Sequence, residues 1–233
     1  MVDLYTRPNT AGTIVRCLLE EVGEPYRVIV VARGSDGSVS PAEYASLNPN
    51  GTVPTLVDGE LVLYETAAIL QHIADLHPES ALAPAPGTPR RPILYRWMLY
   101  VTNNVMAAFY RWFKADEMVA DPEAVESLQR GAILDLERFG RFLDAELADR
   151  PYLLGEDYTI ADAFLAGLHA WADEIPGLAF GGADLAAPGG GSRRAGTGSD
   201  QGHEGRHQGG GRSRGAQGQD PRPEAASHQA QER

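Results

Sequence analysis

The stretch Ser46–Asp75, SLNPNGTVPTLVDGELVLYETAAILQHIAD, decides the fold. Pro49-Asn50-Gly51 is a turn and leads into a Val53-Pro54 pair. Two short apolar runs follow, Thr55-Leu-Val and Leu61-Val-Leu-Tyr, with Asp58-Gly59 between them as a tight hairpin signal. From Glu65-Thr66 the period lengthens. Ala67, Ile69, Leu70, Ile73 and Ala74 have the spacing of one helix face, and Pro78 ends the pattern. A helix start offers unpaired N–H groups and a partial positive charge, which suits a carboxylate. Each piece alone is a turn or a cap; their order and spacing carry the information.

Working outward, Val2–Thr6 reads as a first strand, and Pro8–Gly12 as a loop. Ile14, Val15, Leu18, Leu19 and Val22 have helical spacing, closed by Gly23, and Tyr26–Val31 is a β-branched second strand. Ser40-Pro41-Ala42-Glu43 predicts a short helix capped by Ser40. The order βαβ-α-ββα is that of a thioredoxin-like unit. Residues 81–92 hold four prolines and read as a linker. Two long helices are expected, Ile93–Ala115 and Pro122–Leu147, the first with a broad apolar stripe. Thr159 and Asp162 then have capping-box spacing.

The segment from Gly181 to Arg233 departs from all of this. It contains 14 Gly, no aromatics and Leu185 as its only large aliphatic residue, so it cannot bury enough apolar surface to offset chain entropy. The expectation is a disordered tail. It is either a native extension or a frame-shifted read of a GC-rich gene.

The Ser46–Asp75 pattern, together with Gly155-x-x-x-Thr159-Ile160-Ala161-Asp162, resembles the glutathione S-transferase family over roughly residues 2–180. The resemblance implies an α/β thioredoxin-like domain (residues 1–80), the linker 81–92, an all-α helical domain (93–180, expected to be incomplete) and the tail 181–233. It implies a cis Val53-Pro54 bond that turns the Val53 backbone outward, to pair like a strand with the cysteine of glutathione. Thr66 would bind the γ-glutamyl carboxylate and Glu65 the γ-glutamyl amino group. Thr52 stands where some relatives have a Lys for the glycine carboxylate, and Arg7 or Arg16 are candidates to replace that charge. Glutathione is thus the expected co-substrate. A homodimer is what the family implies.

The thiol-activating group is less legible. Leu4–Thr13 contains no Cys and no Ser. Relatives of the disulfide-reductase kind hold the sulfur with a Thr and an Asn after the proline; an ungapped alignment puts Asn9 and Ala11 there, with Thr10 between. Asn9 and Thr10 are therefore the catalytic candidates, acting from a helix start whose dipole favours an anion. The thiolate is the nucleophile, so lowering its pKa supplies much of the rate. Asn103, Tyr110 and Phe113 are the candidates to line a site for an apolar electrophile or small disulfide. Cys17 reads as a small buried core residue. The histidines form no metal-ligand spacing, and no metal is expected.

Net charge −12 with a single lysine, Lys114, argues against nucleic acid as a partner. No window has the length of a membrane span, and the N-terminus lacks a signal-peptide pattern, so the default expectation is a soluble cytoplasmic protein. Three functional readings stay open: a glutathione transferase-like enzyme, a non-catalytic glutathione- or partner-binding module of the same fold, and an inactive product of a frame-shifted gene.

Overall fold

The computed structural model of the chain describes residues 1–34 and 38–181. The tail expectation, Gly181 apart, lies outside the described residues.

A four-stranded sheet has the order β2-β1-β5-β6. Its strands are β1 (Val2–Thr6), β2 (Tyr26–Val30), β5 (Thr55–Asp58) and β6 (Leu61–Tyr64). β1 pairs parallel with β2 and antiparallel with β5, and β5 pairs antiparallel with β6. The parallel pair needs a crossover, supplied by α1 (Gly12–Val22). Gly23 ends α1 at φ 70, where the Glu24 amide reaches back to the Leu19 carbonyl. A two-stranded ribbon of β3 (Ala32–Arg33) and β4 (Val39–Ser40) and the short α2 (Tyr44–Leu47) precede β5. α3 (Thr66–Leu76) then packs beside α1, completing the α/β unit read from sequence.

The helical part holds α4 (Arg91–Tyr100), a π-helical segment Val101–Met106, α5 (Ala107–Phe113), α6 (Ala115–Met118), α7 (Val125–Leu147) and α8 (Ile160–Ala172). Leu4, Leu19, Leu56 and Ile69 from the first part share one continuous core with Trp97, Val105, Phe109, Leu136 and Phe164. α8 touches α1 closely, because Gly167 leaves room for Ile14: a Cβ there would stand 2.5 Å from Ile14 Cγ1. Arg91, almost wholly buried, clasps the halves with bonds of 2.7 and 2.8 Å to the Asp75 carboxylate and 2.9 Å to the Pro84 carbonyl.

Several expectations are corrected. The short helix starts at Tyr44, not at Ser40: Ser40 pairs with Ala32 in β4, and the Ser40-Pro41 bond is cis, so Ser40 caps nothing. The hairpin turn is Gly59-Glu60, since Asp58 already pairs with Leu61. The first long helix starts at Arg91 and ends at Phe113, with the π-helical segment between; there the Thr102 hydroxyl and Asn104 amide bond back to the Met98 and Tyr100 carbonyls. Cys17 is exposed rather than buried. Ile14, Val15, Leu18 and Leu19 take the inward face of α1, and residues 16, 17 and 20 fall on the other side.

Candidate functional site

The site is assembled where β1 ends, α1 begins and the loop before β5 arrives. The Val53-Pro54 bond is cis. Val53 is buried, yet its amide and carbonyl have no hydrogen-bond partner among the described residues. An extended peptide backbone would satisfy both. The loop is held from behind. Tyr44 donates its hydroxyl proton to the Thr52 carbonyl, and its oxygen lies 2.8 Å from Thr55 Oγ1. Asn48 Nδ2 donates to the same carbonyl at 3.0 Å. Tyr44 and Asn48 are fully buried, and the Tyr44 ring stacks on Tyr5 at 5.5 Å. Thr52 itself is exposed.

Gly12 packs the start of α1 against this loop: its missing Cβ would lie 3.5 Å from Pro54 Cβ and 1.8 Å from Thr6 Oγ1. Between them runs the turn Arg7–Ala11. The Thr10 hydroxyl donates to the Arg7 carbonyl at 2.8 Å and stands 3.3 Å from the Thr6 hydroxyl. Asn9 is exposed at φ 55, and its side chain has no hydrogen bond among the described residues. Asn is among the residues that tolerate this left-handed conformation.

At the start of α3, Glu65 takes φ 74, a costly conformation for a residue with a Cβ, and its exposed carboxylate has no ion-pair partner among the described residues. Thr66 begins α3 and is buried. The first backbone bond of α3 runs from the Ile69 amide to the Glu65 carbonyl at 3.0 Å. The amides of Thr66, Ala67 and Ala68 are therefore left to an acceptor from outside, next to the positive end of the helix dipole.

The helical part contributes Tyr110. Burial pushes its hydroxyl above the ordinary tyrosine range, the Glu65 charge pushes the same way, and the Arg7 charge opposes them. Tyr110 thus stays a proton donor, close enough to Glu65 and Arg7 to feel both. Its ring meets Trp171 at 6.0 Å. Phe113 lies in the same aromatic group, 6.0 Å from Trp171 and 6.4 Å from Phe109. Asn103 is exposed on the π-helical segment and is not hydrogen-bonded to this group.

So the structure gathers Val53, Pro54, Thr10 and Gly12 at one junction, aligns Glu65 and Thr66 at one helix start, and sets Tyr110 within their electrostatic reach. Tyr44, Asn48 and Trp171 were missed in the sequence. Asn48 carries a signal, as the residue before the Pro-Asn-Gly turn; Tyr44 carries none, because its partner is the Thr52 carbonyl eight residues further along the chain. Among the described residues no group of three His, Cys, Asp or Glu stands close enough to hold a metal ion.

Family models for the glutathione S-transferase N-terminal and C-terminal domains match residues 12–76 and 125–190. Glutathione S-transferase GST-4.5 of Xanthomonas campestris pv. campestris is 30% identical over 172 residues, covering 73% of this chain and 82% of its own. The chain belongs to the glutathione S-transferase family. Another relative in that family range, the disulfide-bond oxidoreductase YfcG of Escherichia coli (strain K12), is 30% identical over 190 residues, 77% of this chain and 85% of its own. Among solved structures, a glutathione transferase homologue from Sulfitobacter with bound glutathione superposes with a TM-score of 0.66 at 25% identity, over 75% of this chain and 83% of that one. The glutathione transferase of Methylococcus capsulatus str. Bath gives 0.64 at 29% identity, over the same shares. The thioredoxin-like sheet and the helical part of this chain are thus those of a glutathione S-transferase.

Proposed function

We propose that the chain binds glutathione and activates its thiol for transfer to an apolar electrophile or a small disulfide. The carrying observation is the pair of backbone groups on Val53, beside the cis Pro54, that have no partner among the described residues, together with the open helix start at Glu65-Thr66. In this reading the Val53 amide and carbonyl pair with the cysteine of glutathione. The Thr66–Ala68 amides and the Thr66 hydroxyl take the γ-glutamyl carboxylate. Glu65 takes the γ-glutamyl ammonium, and Thr52 lies beside the glycine end. Residues 1–80 supply this half-site. Tyr110 and Phe113, with Asn103 further along, belong to the 93–180 helical part that receives the second substrate. The protein works in the cytoplasm as a homodimer.

Thiolate stabilisation falls to the Arg7–Ala11 turn, with Asn9 and Thr10 as donors. The Asn9 side-chain amide has no partner among the described residues; Thr10 must turn its hydroxyl away from the Arg7 carbonyl to serve. That commitment favours a second reading, a module that binds glutathione without turnover. Thermal melts with and without millimolar glutathione, run beside conjugation and disulfide-reduction assays, separate the two. Ligand binding to the native state raises the midpoint in both readings, and only the enzyme turns over. An unchanged midpoint sinks both.

A further inference from the structure

β1 and β2 run parallel and end at the same corner of the sheet: Thr6 lies opposite Val30, and the Val31 amide donates to the Thr6 carbonyl at 2.8 Å. The chain leaves β1 through Arg7 and leaves β2 through β3, which carries Arg33. Two guanidiniums therefore start from adjoining strand ends. The α5–α6 corner of the helical part meets them there. Lys114, the single lysine of the chain, follows α5 and pairs with Glu117 on α6. That hydrogen bond holds the Glu117 carboxyl below its ordinary range, and the charges of Lys114, Arg33 and Arg7 act in the same direction. Arg7 also acts on the Tyr110 hydroxyl, one turn before Lys114. We propose that this corner, between Arg7, Arg33 and Tyr110, holds the carboxylate of the second substrate, which is then an aromatic acid rather than a neutral electrophile. The assignment rests on the glutathione reading and adds to it the charge of the second substrate.

Three observations carry this. First, positive charge is left over. Arg7 and Arg33 have no ion pair among the described residues, and the carboxylate both act on, Glu117, is already held by Lys114. Three cations thus meet at one carboxylate in a chain of net charge −12, so an anion is drawn to this corner rather than to the surface at large. Glu65, which also acts on Tyr110, is taken up by the γ-glutamyl ammonium in the glutathione reading. Second, the donors suit a carboxylate. The Tyr110 hydroxyl has no hydrogen-bond partner among the described residues, and burial first, then the Glu65 charge, keep it protonated. A hydroxyl and a guanidinium fork together match the two oxygens of one carboxylate. Third, the surroundings suit the rest of such a molecule. Tyr110 and Phe113 each meet Trp171 at 6.0 Å, an aromatic wall for a ring. Arg7 opens the turn whose Asn9 and Thr10 are assigned to the thiolate, so an acid anchored there has its ring beside the nucleophile.

The probe is 3,5-dinitrobenzoate, with 3,5-dinitrobenzamide as its uncharged match, titrated calorimetrically into the full-length protein at low salt, with and without saturating glutathione. The acid should bind about tenfold tighter than the amide, and added salt should narrow the difference. Arg7→Gln and Arg33→Gln should each weaken the acid about tenfold and leave the amide unaffected. Glu117→Gln should tighten the acid, because it removes a charge that opposes it. Turnover is read with 4-chloro-3,5-dinitrobenzoate and its amide: the glutathione thiolate displaces chloride, a C–S bond forming as the C–Cl bond breaks and the thiol proton passing to water. kcat/KM should favour the acid, and the preference should fall in both arginine variants. Equal affinity for acid and amide would overturn the assignment. So would an Arg7→Gln variant that loses glutathione affinity and keeps the acid, since Arg7 would then serve the glycine carboxylate. A melting midpoint unmoved by glutathione, with the acid preference intact, would sink the glutathione reading alone.

Discussion

Gly12 is required by space rather than by backbone conformation. A Cβ at 1.8 Å from Thr6 Oγ1 has nowhere to go unless α1 moves off β1 and Pro54. Gly12→Ala should therefore cost about 1–3 kcal/mol in denaturant unfolding, as overpacking does, and should also weaken glutathione. In the proposed reading, Glu65 and Thr66 act on ligand rather than on packing. Replacing both by Ala should lower glutathione affinity by ~2–5 kcal/mol in calorimetric titration, the range for a lost charge-assisted contact. An unchanged affinity would refute the assignment of the γ-glutamyl site. The sequence exposed Glu65-Thr66 because a strand pattern gives way to a helix pattern at that point. It gave no sign of Tyr44, whose role depends on an oxygen eight residues away along the chain and adjacent only after the loop folds back.

At the level of elements, the start of α8 is the best-determined feature. Asp162 is buried and accepts from the Leu153 amide at 2.7 Å, the Thr159 amide at 2.9 Å and the Thr159 hydroxyl at 2.9 Å. Asp162→Ala orphans two buried amides and should destabilise by about 2–4 kcal/mol; Thr159→Ala removes one cap and should cost about 1–2 kcal/mol. Equal losses for the two would contradict this account. The box was legible because both partners lie within one turn of chain. The bond to Leu153 was not, since it joins the helix to the loop before it. The same contrast explains Ser40: cap propensity pointed to a helix, and pairing with Ala32 claimed the residue for a strand.

At the scale of the molecule, Arg91 joins α4 to Asp75 on α3. Arg91→Met should cost about 1–3 kcal/mol, below the loss for a fully buried pair, because Asp75 keeps contact with water. Alkaline stability follows from Tyr158 and Tyr110. Burial is the first cause in both, with the Glu21 and Asp162 charges adding at Tyr158, and both hydroxyls are raised above the ordinary value of about 10. A folded-state pKa above the unfolded one gives stability that is full below pH ~10 and is lost as pH rises further. Melts at pH 8 and pH 11 should show a drop that shrinks in Tyr158→Phe; an equal drop would remove Tyr158 as its source. The sequence by itself determined the four strands of the main sheet, the helices α1 and α3, and the helix starts at Thr66 and Ile160, because each rests on neighbours a few residues apart; the cis Val53-Pro54 bond followed from the family resemblance, and the β3-β4 ribbon, which pairs Ala32 with Ser40, was not legible. The tertiary structure alone decided that Cys17 faces outward, that Arg91 is buried as a clasp, and that Tyr110 feels Glu65 and Arg7. Those depend on which faces meet across the chain, and local pattern sets an element's period without naming its partner.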